Sequence, residues 1–158
     1  MKHHTLAFLV LTAVLAGGCS KPSQSVAIEP SHSVGPVHSG MTLRQVRAEL
    51  GPPDRTNYDG GYAIYGGQLQ YTRLGLNVGP GKGGVVQSVD IYRPFSGRTK
   101  EGIGIGSSRA DVIRAYGEPK VDNTPARNFE SLLYSNRDLF FIQDGNVLMI
   151  VVKLQDAK

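Results

Sequence analysis

The residue types that perform most enzyme chemistry are scarce in this chain, and their positions exclude several kinds of site. Histidine occurs only at His3, His4, His32 and His38, and Cys19 is the one cysteine among 158 residues. From position 40 onward the sequence lacks the ligands of a common zinc site and the histidine base of Ser-His and Cys-His nucleophile pairs. We therefore expect no enzymatic activity, no bound metal and no cofactor.

Carboxylates are the remaining candidates for acid–base chemistry. Several acidic residues, such as Asp111 and Asp144, fall at predicted helix ends or turns, where capping or solvation explains them. An enzyme or ligand-binding protein based on carboxylates would need a deep acidic pocket near Asp90, Asp122 and Glu130. This alternative stays open at the level of the sequence.

Two further features bear on nucleotides and nucleic acids. Gly79, Gly81 and Gly84 match the Gly-x-Gly-x-x-Gly spacing of dinucleotide-binding loops. Such a loop requires a helix directly after it, but a valine-rich segment follows here, so we predict a hairpin turn. The formal net charge is +4, yet no Arg/Lys cluster is interleaved with aromatic residues, so we expect no nucleic-acid partner.

Cys19 directly follows a segment with the properties of an export signal. A short basic start precedes the apolar run 5–15, which is shorter than the ~20 residues of a membrane span. Small residues at 16–18 lead into the cysteine, and this arrangement resembles the lipobox of bacterial lipoproteins. The resemblance implies a signal peptide at 1–18 and attachment of diacylglycerol and palmitate at Cys19. An ordinary signal peptide followed by an incidental cysteine is the alternative.

The residues after the cysteine predict how the protein is held at the membrane. Residues 19–36 are rich in serine and proline, a composition typical of a flexible tether. In a bacterium with two membranes, the lipoprotein resemblance and Ser20 in the second mature position imply sorting to the outer membrane, with the folded part facing the periplasm. The first predicted partner is therefore the membrane, reached through the N-terminal lipid.

An internal repeat organises the rest of the chain. The segment 40–53 recurs as 106–119, a separation of 66 residues, and the matching positions are those that begin and end a helix. Each helix is predicted to be about eight residues long, with a capping box at its start and a glycine at its end. The cap residues are Thr42, Gln45 and Gly51 in the first copy and Ser108, Asp111 and Gly117 in the second.

The repeat also predicts the fold class. Apolar runs separated by turns follow each helix, and Asp144-Gly145 between two such runs is a strong hairpin signal. We therefore predict an α+β fold of two tandem repeats, 37–98 and 99–158. Each repeat is expected to be a short N-terminal helix followed by a three-stranded antiparallel meander.

The motif Gly-Met-Thr, Gln-Val, Leu-Gly-Pro-Pro in residues 40–53 resembles the SmpA/OmlA family of BamE-like lipoproteins. A tandem of two such units is similar in architecture to the β-lactamase inhibitor protein family. The resemblance implies a non-enzymatic envelope lipoprotein that acts as a protein-binding platform in outer-membrane assembly or envelope integrity. An inhibitor or sensor that binds an exported enzyme through its sheet surface is the alternative. The motif contains no binding residue to carry over.

Candidate contact residues come from two other features. Tyr58, Tyr62, Tyr65 and Tyr71 are concentrated in the first repeat, and tyrosine is common in protein interfaces; it is also common as half-buried filler in strands. The run 147–152 is apolar on both faces. It is either a central strand covered on both sides or a strand with one face left for a partner.

Overall fold

A computed structural model describes residues 27–123, 129–134 and 138–155, and within them the chain is mostly β-sheet. Twelve strands and two α-helices are formed in this part. The strands are β1 (Ala27–Glu29), β2 (Ser33–Val34), β3 (Val37–His38), β4 (Arg55–Asn57), β5 (Gln68–Tyr71), β6 (Leu76–Pro80), β7 (Val86–Ile91), β8 (Arg98–Thr99), β9 (Val121–Asn123), β10 (Phe129–Leu133), β11 (Leu139–Gln143) and β12 (Asn146–Lys153). The helices are α1 (Leu43–Leu50) and α2 (Arg109–Tyr116), and short 3-10 turns occur at Gly60–Tyr65 and Lys82–Gly84.

Both helices are eight residues long and begin with a complete capping box, as the sequence predicts. The Thr42 hydroxyl accepts from the backbone N–H of Gln45 at 3.3 Å, and Gln45 Oε1 accepts from the backbone N–H of Thr42 at 2.8 Å. Ser108 and Asp111 make the same two contacts at 3.1 and 3.3 Å. Gly51 and Gly117 follow the last turns with φ of 80° and 78°, a backbone conformation that favours glycine.

We expect Ser108→Ala to lower the free energy of unfolding by about 1 kcal/mol, because it leaves N–H groups of the first turn of α2 without their side-chain acceptor. Arg44→Ala is the matched control, since Arg44 is an exposed α1 residue, and its effect should stay within about 0.5 kcal/mol. Chemical denaturation followed by circular dichroism measures both values. Equal effects of the two substitutions would show that the capping box does not stabilise the helix.

Eight strands form one continuous antiparallel sheet in the order β4-β5-β6-β7-β12-β11-β10-β9. The predicted architecture, two tandem units each of a helix and a three-stranded meander, is therefore wrong. Pairing of β7 with β12 joins the two halves of the chain into one sheet. The edge strands β4 and β9 were not predicted, because each is only three residues long and neither shows the apolar alternation that marks a strand.

A second sheet of four strands has the order β3-β2-β1-β8. Strands β1 and β2 lie in the segment predicted to be a flexible tether, so that prediction does not hold for residues 27–36. The physical reason is burial. The side chains of Ile28, Val34 and Val37 are at most 2% exposed, and they belong to one hydrophobic core with buried residues of the helices and the large sheet. Residues 19–26 lie outside the described part of the chain.

The two predicted turns are confirmed. The glycine-rich segment after Gly79 joins antiparallel strands β6 and β7, with the 3-10 turn at its tip, and no helix follows it directly. Asp144 and Gly145 connect β11 to β12 with φ of 50° and 77°, the positive values expected of a two-residue hairpin turn. Neither helix in the described residues is long and apolar enough to cross a membrane.

One face of the eight-stranded sheet carries both helices, and we call it the helix face. Tyr71 donates a hydrogen bond to the carbonyl oxygen of Gly51 at 3.1 Å, and Tyr134 donates to that of Gly117 at 3.0 Å. The Tyr116 ring of α2 packs on Tyr134 and Phe140, with ring centroids 5.6 and 5.5 Å away. Alternation along each strand places the neighbouring side chains on the opposite face, which we call the outer face.

Candidate functional site

The four candidate tyrosines do not form one surface. Tyr71 is only 3% exposed and its hydroxyl supports the end of α1, so its role is structural. Tyr58 is 58% exposed and lies beside the backbone of Gly67, near the edge strand β4. The prediction of a tyrosine-lined binding surface therefore fails for Tyr71. The other three tyrosines lie on the connection between β4 and β5.

Tyr62 reaches the outer face. Its ring lies 3.8 Å from the position that a Cβ on Gly79 would occupy, and Gly79 pairs with Ser88 on β7. Tyr65 and Ile64, in the same 3-10 turn, are exposed, and Ile64 is the most exposed large apolar side chain of the described residues at 77%. Through Tyr62, this turn and its exposed apolar side chains adjoin the polar half of the outer face.

The outer face changes from polar to apolar across the sheet. One row of directly paired residues crosses six strands, from β5 to β10. In order, the row is Gln70, Asn77, Asp90, Val151, Leu139 and Leu133. A second row pairs Met149 with Phe141 and continues to Ser131. The half that includes β12, β11 and β10 is therefore mainly apolar on the side that faces away from the helices, with Ser131 and Lys153 as its polar members.

The apolar half contains large side chains that are only partly buried. Leu133, Leu139, Phe141 and Met149 are half-buried, and Leu148, at the irregularity where β12 pairs with β11, is 43% exposed. No helix of the described residues lies over these side chains. A patch of this kind next to polar groups is typical of a protein-contact surface.

Asp90 lies where the polar and apolar halves meet, and a short hydrogen-bond chain fixes its carboxylate. Gln68 donates from Nε2 to Asp90 Oδ2 at 3.1 Å, and Gln70 donates to Gln68 Oε1 at 3.5 Å. Tyr92 lies on the same face and donates its hydroxyl proton to Asn77 Oδ1 at 3.0 Å. Asp90 Oδ1 accepts no hydrogen bond from the residues the structure describes.

The surroundings of Asp90 disfavour its charged form. Burial raises the pKa of Asp90, against the smaller lowering effects of the nearby Lys153 charge and the Gln68 hydrogen bond. Burial also raises the pKa of Tyr62 and of Tyr92, and the negative charge of Asp90 adds to both shifts. Perturbed pKa values cluster at functional sites, so this shift makes Asp90 a candidate.

This shift predicts the direction of a pH effect. The folded protein binds the Asp90 proton more tightly than the unfolded chain, whose ordinary pKa is 3.8, so this group's contribution to stability falls as pH rises from 3.8 through the raised pKa. Asp90→Asn should therefore raise the melting temperature at pH 7, and the gain over wild type should shrink as pH approaches 3.8.

Thermal denaturation between pH 4 and 7 measures this difference. Asp59→Asn is the matched control, because the Asp59 side chain is exposed and makes no capping hydrogen bond. A lower melting temperature of Asp90→Asn at pH 7 would contradict the assignment of Asp90 as a destabilising buried charge.

The structure does not bring the Glu130 carboxylate to Asp90. Glu130 pairs with Arg109 of α2 at 2.7 Å and therefore lies on the helix face, opposite Asp90. The backbone of Asp122 is paired with Leu132, and its side chain lies outside the described part. Among the residues that the structure describes, no group of three or more His, Cys, Asp or Glu side chains is placed to hold a metal ion.

Three adjoining clefts surround Arg98, a residue that the sequence did not single out. They have volumes of about 720, 530 and 360 Å³. The largest lies between the four-stranded sheet and α2 and is lined in part by Ile28, Thr99 and Tyr116. Arg98 Nη1 donates to the carbonyl oxygen of Gly102 at 2.8 Å and to Ser107 Oγ at 3.3 Å. These contacts connect β8 to the loop that precedes α2.

Comparison with known proteins bears on the fold alone. The sequence matches no protein-family profile and no curated protein. The fold is similar to the crystal structure of a DUF4309 family protein (YjgB) from Bacillus subtilis, with a TM-score of 0.50 and 15% sequence identity. The similarity covers 77% of this chain and 84% of that one. At this identity it carries no function, and the resemblance to the SmpA/OmlA family stays a prediction.

The residues of the outer face were mostly missed from the sequence. One sequence signal for this face did exist, because the run 147–152 is apolar at consecutive positions. The structure places this run in β12, a central strand, with half-buried Met149 on the outer face. Asp90 carries no local signal, because its importance comes from Val151 and Gln68, which are 61 and 22 positions away.

Proposed function

We propose that this protein is a lipid-anchored, non-enzymatic envelope protein that binds another protein through the outer face of its eight-stranded sheet. The observation that supports this proposal most is the row in which Asp90 is paired with Val151 and Val151 with Leu139. Across the buried Val151, this row joins a fixed polar group to half-buried apolar side chains that begin at Leu139, a combination typical of protein interfaces.

The N-terminal sequence supports the anchor. Cys19 follows a segment that resembles a lipoprotein signal, and two or more acyl chains hold a protein at a bilayer stably. The seven residues from Ser20 to Val26 separate Cys19 from the first strand. Such a segment spans at most about 25 Å, so the folded part would stay close to the membrane surface and would meet partners there.

The membrane anchor is tested with Cys19→Ala. We expect the wild-type protein to enter the detergent phase on Triton X-114 partitioning of whole cells and to incorporate labelled palmitate, whereas the variant does neither. Ser20→Ala is the control, because it changes the neighbouring residue and leaves the thiol in place. Palmitate incorporation by Cys19→Ala would contradict the proposed attachment.

The binding surface is tested with a photo-crosslinking amino acid in the full-length, lipidated protein. We expect a crosslinked product from position 141, on the apolar half of the outer face, and none from position 44, on the exposed side of α1. Product from both positions or from neither would contradict the assignment of this face. Among products, a component of the outer-membrane assembly machinery supports the assembly role, and an exported hydrolase favours the inhibitor alternative.

A further inference from the structure

The centre of the outer face carries an acidic and a basic side chain that do not pair with each other. Asp90 lies opposite Val151, and Lys153 lies two residues further along the same strand, diagonal to Asp90. No ion pair joins the two in the part of the chain that the structure describes. Each charge is therefore available to a bound partner.

The two charges differ in how firmly they are held. The Asp90 carboxylate is fixed by the hydrogen bond from Gln68, while its Oδ1 accepts no hydrogen bond from the described residues. Lys153 has a flexible four-carbon side chain that can turn its ammonium group towards water. A preorganised acceptor binds a donor at a lower entropic cost than a mobile group does.

The groups next to Asp90 also suit a cation. Tyr62 lies over Gly79, and the Tyr92 hydroxyl is hydrogen-bonded to Asn77. The negative charge of Asp90 contributes to the raised pKa of both phenols. A phenol oxygen can accept a hydrogen bond from an ammonium or guanidinium group. The combination of a fixed carboxylate oxygen and two tyrosines matches a basic side chain.

We propose that the partner bound at the outer face inserts an arginine or lysine side chain at Asp90 and places apolar side chains on Leu139 and Met149, which are half-buried. This inference rests on the proposed function, since it names the chemistry of the partner at the same surface. The row that runs from Asp90 through Val151 to Leu139 sets the expected order of groups on the partner: one cation followed by apolar residues.

Two substitutions that remove opposite charges test the proposal. Both are made in the full-length, lipidated protein that carries the photo-crosslinker at position 139. Asp90→Asn keeps an acceptor for Gln68 and removes the charge, so we expect the yield of crosslinked product to fall about tenfold or more. Lys153→Gln removes the competing positive charge, so the yield should be unchanged or higher. Sequencing of the crosslinked peptide should show Arg or Lys within a few residues of the attachment point.

The outcomes separate this inference from the proposed function. Absence of product in the wild type would overturn the binding surface itself. If the wild type gives product and Asp90→Asn leaves its yield unchanged, only the cationic partner is overturned. A loss of product in Lys153→Gln would also overturn it, because that loss indicates an anionic partner. A cooperative thermal melting transition verifies that each variant is folded. For Asp90→Asn we expect a melting temperature above that of the wild type.

Discussion

Phe140→Ala is expected to lower the free energy of unfolding by about 3 to 5 kcal/mol, the usual cost of removing a buried phenylalanine ring. Phe140 is 3% exposed and packs against Tyr116 and Tyr134, with ring centroids 5.5 and 5.7 Å away. The substitution would leave a cavity between α2 and the sheet. A domain of this size is stable by roughly 5 to 15 kcal/mol, so the loss is a large share of the total.

The adjacent residue supplies the matched control. Phe141 is half-buried on the outer face, so Phe141→Ala should cost less, about 1 to 2 kcal/mol, and should reduce binding of the partner instead. Urea denaturation measures the two stabilities, and the crosslinking yield at position 139 measures binding. If the two variants had equal stability, the assignment of one ring to the core and the other to the contact surface would be wrong.

The second large effect is expected from Gly75→Ala. Gly75 has φ of 70°, and an added Cβ would collide with the carbonyl oxygen of Tyr92 and lie 2.6 Å from the backbone nitrogen of Phe95. Both obstacles are backbone atoms, which cannot turn aside as a side chain can. The carbonyl of Gly75 also accepts from the N–H of Tyr92 at 2.9 Å, so a shift of this turn would break a contact between β6 and the end of β7.

We expect Gly75→Ala to cost about 4 kcal/mol or more, which places it among the most damaging single substitutions. Gly51→Ala is the control, because Gly51 has a similar φ of 80° but nothing within 4 Å of an added Cβ. Its cost should be the backbone strain alone, about 1 to 3 kcal/mol. Thermal and urea unfolding distinguish the two, and equal losses would mean that the close approach at Gly75 relaxes without cost.

The errors in the sequence-based prediction have a common origin. The segment around Ile28 and Val34 was predicted as a tether from its serine and proline content, yet it forms the short strands β1 and β2, because the core buries these two apolar side chains. Tyr71 was a candidate contact residue, but its hydroxyl is used inside the fold, at Gly51. In both cases the deciding contact is distant in sequence.

What the sequence determined by itself is local. Thr42 with Gln45 and Ser108 with Asp111 set the starts of both helices, and Asp144-Gly145 set a hairpin, because each of these interactions spans three residues or fewer. The tertiary structure alone decided which strands are neighbours and which face of the large sheet carries the two helices. Alternation of side chains defines two faces of a strand but does not say what will cover either one. The sequence offered Asp90 only as one member of an acidic pocket, and its place beside Val151 came from the pairing of β7 with β12.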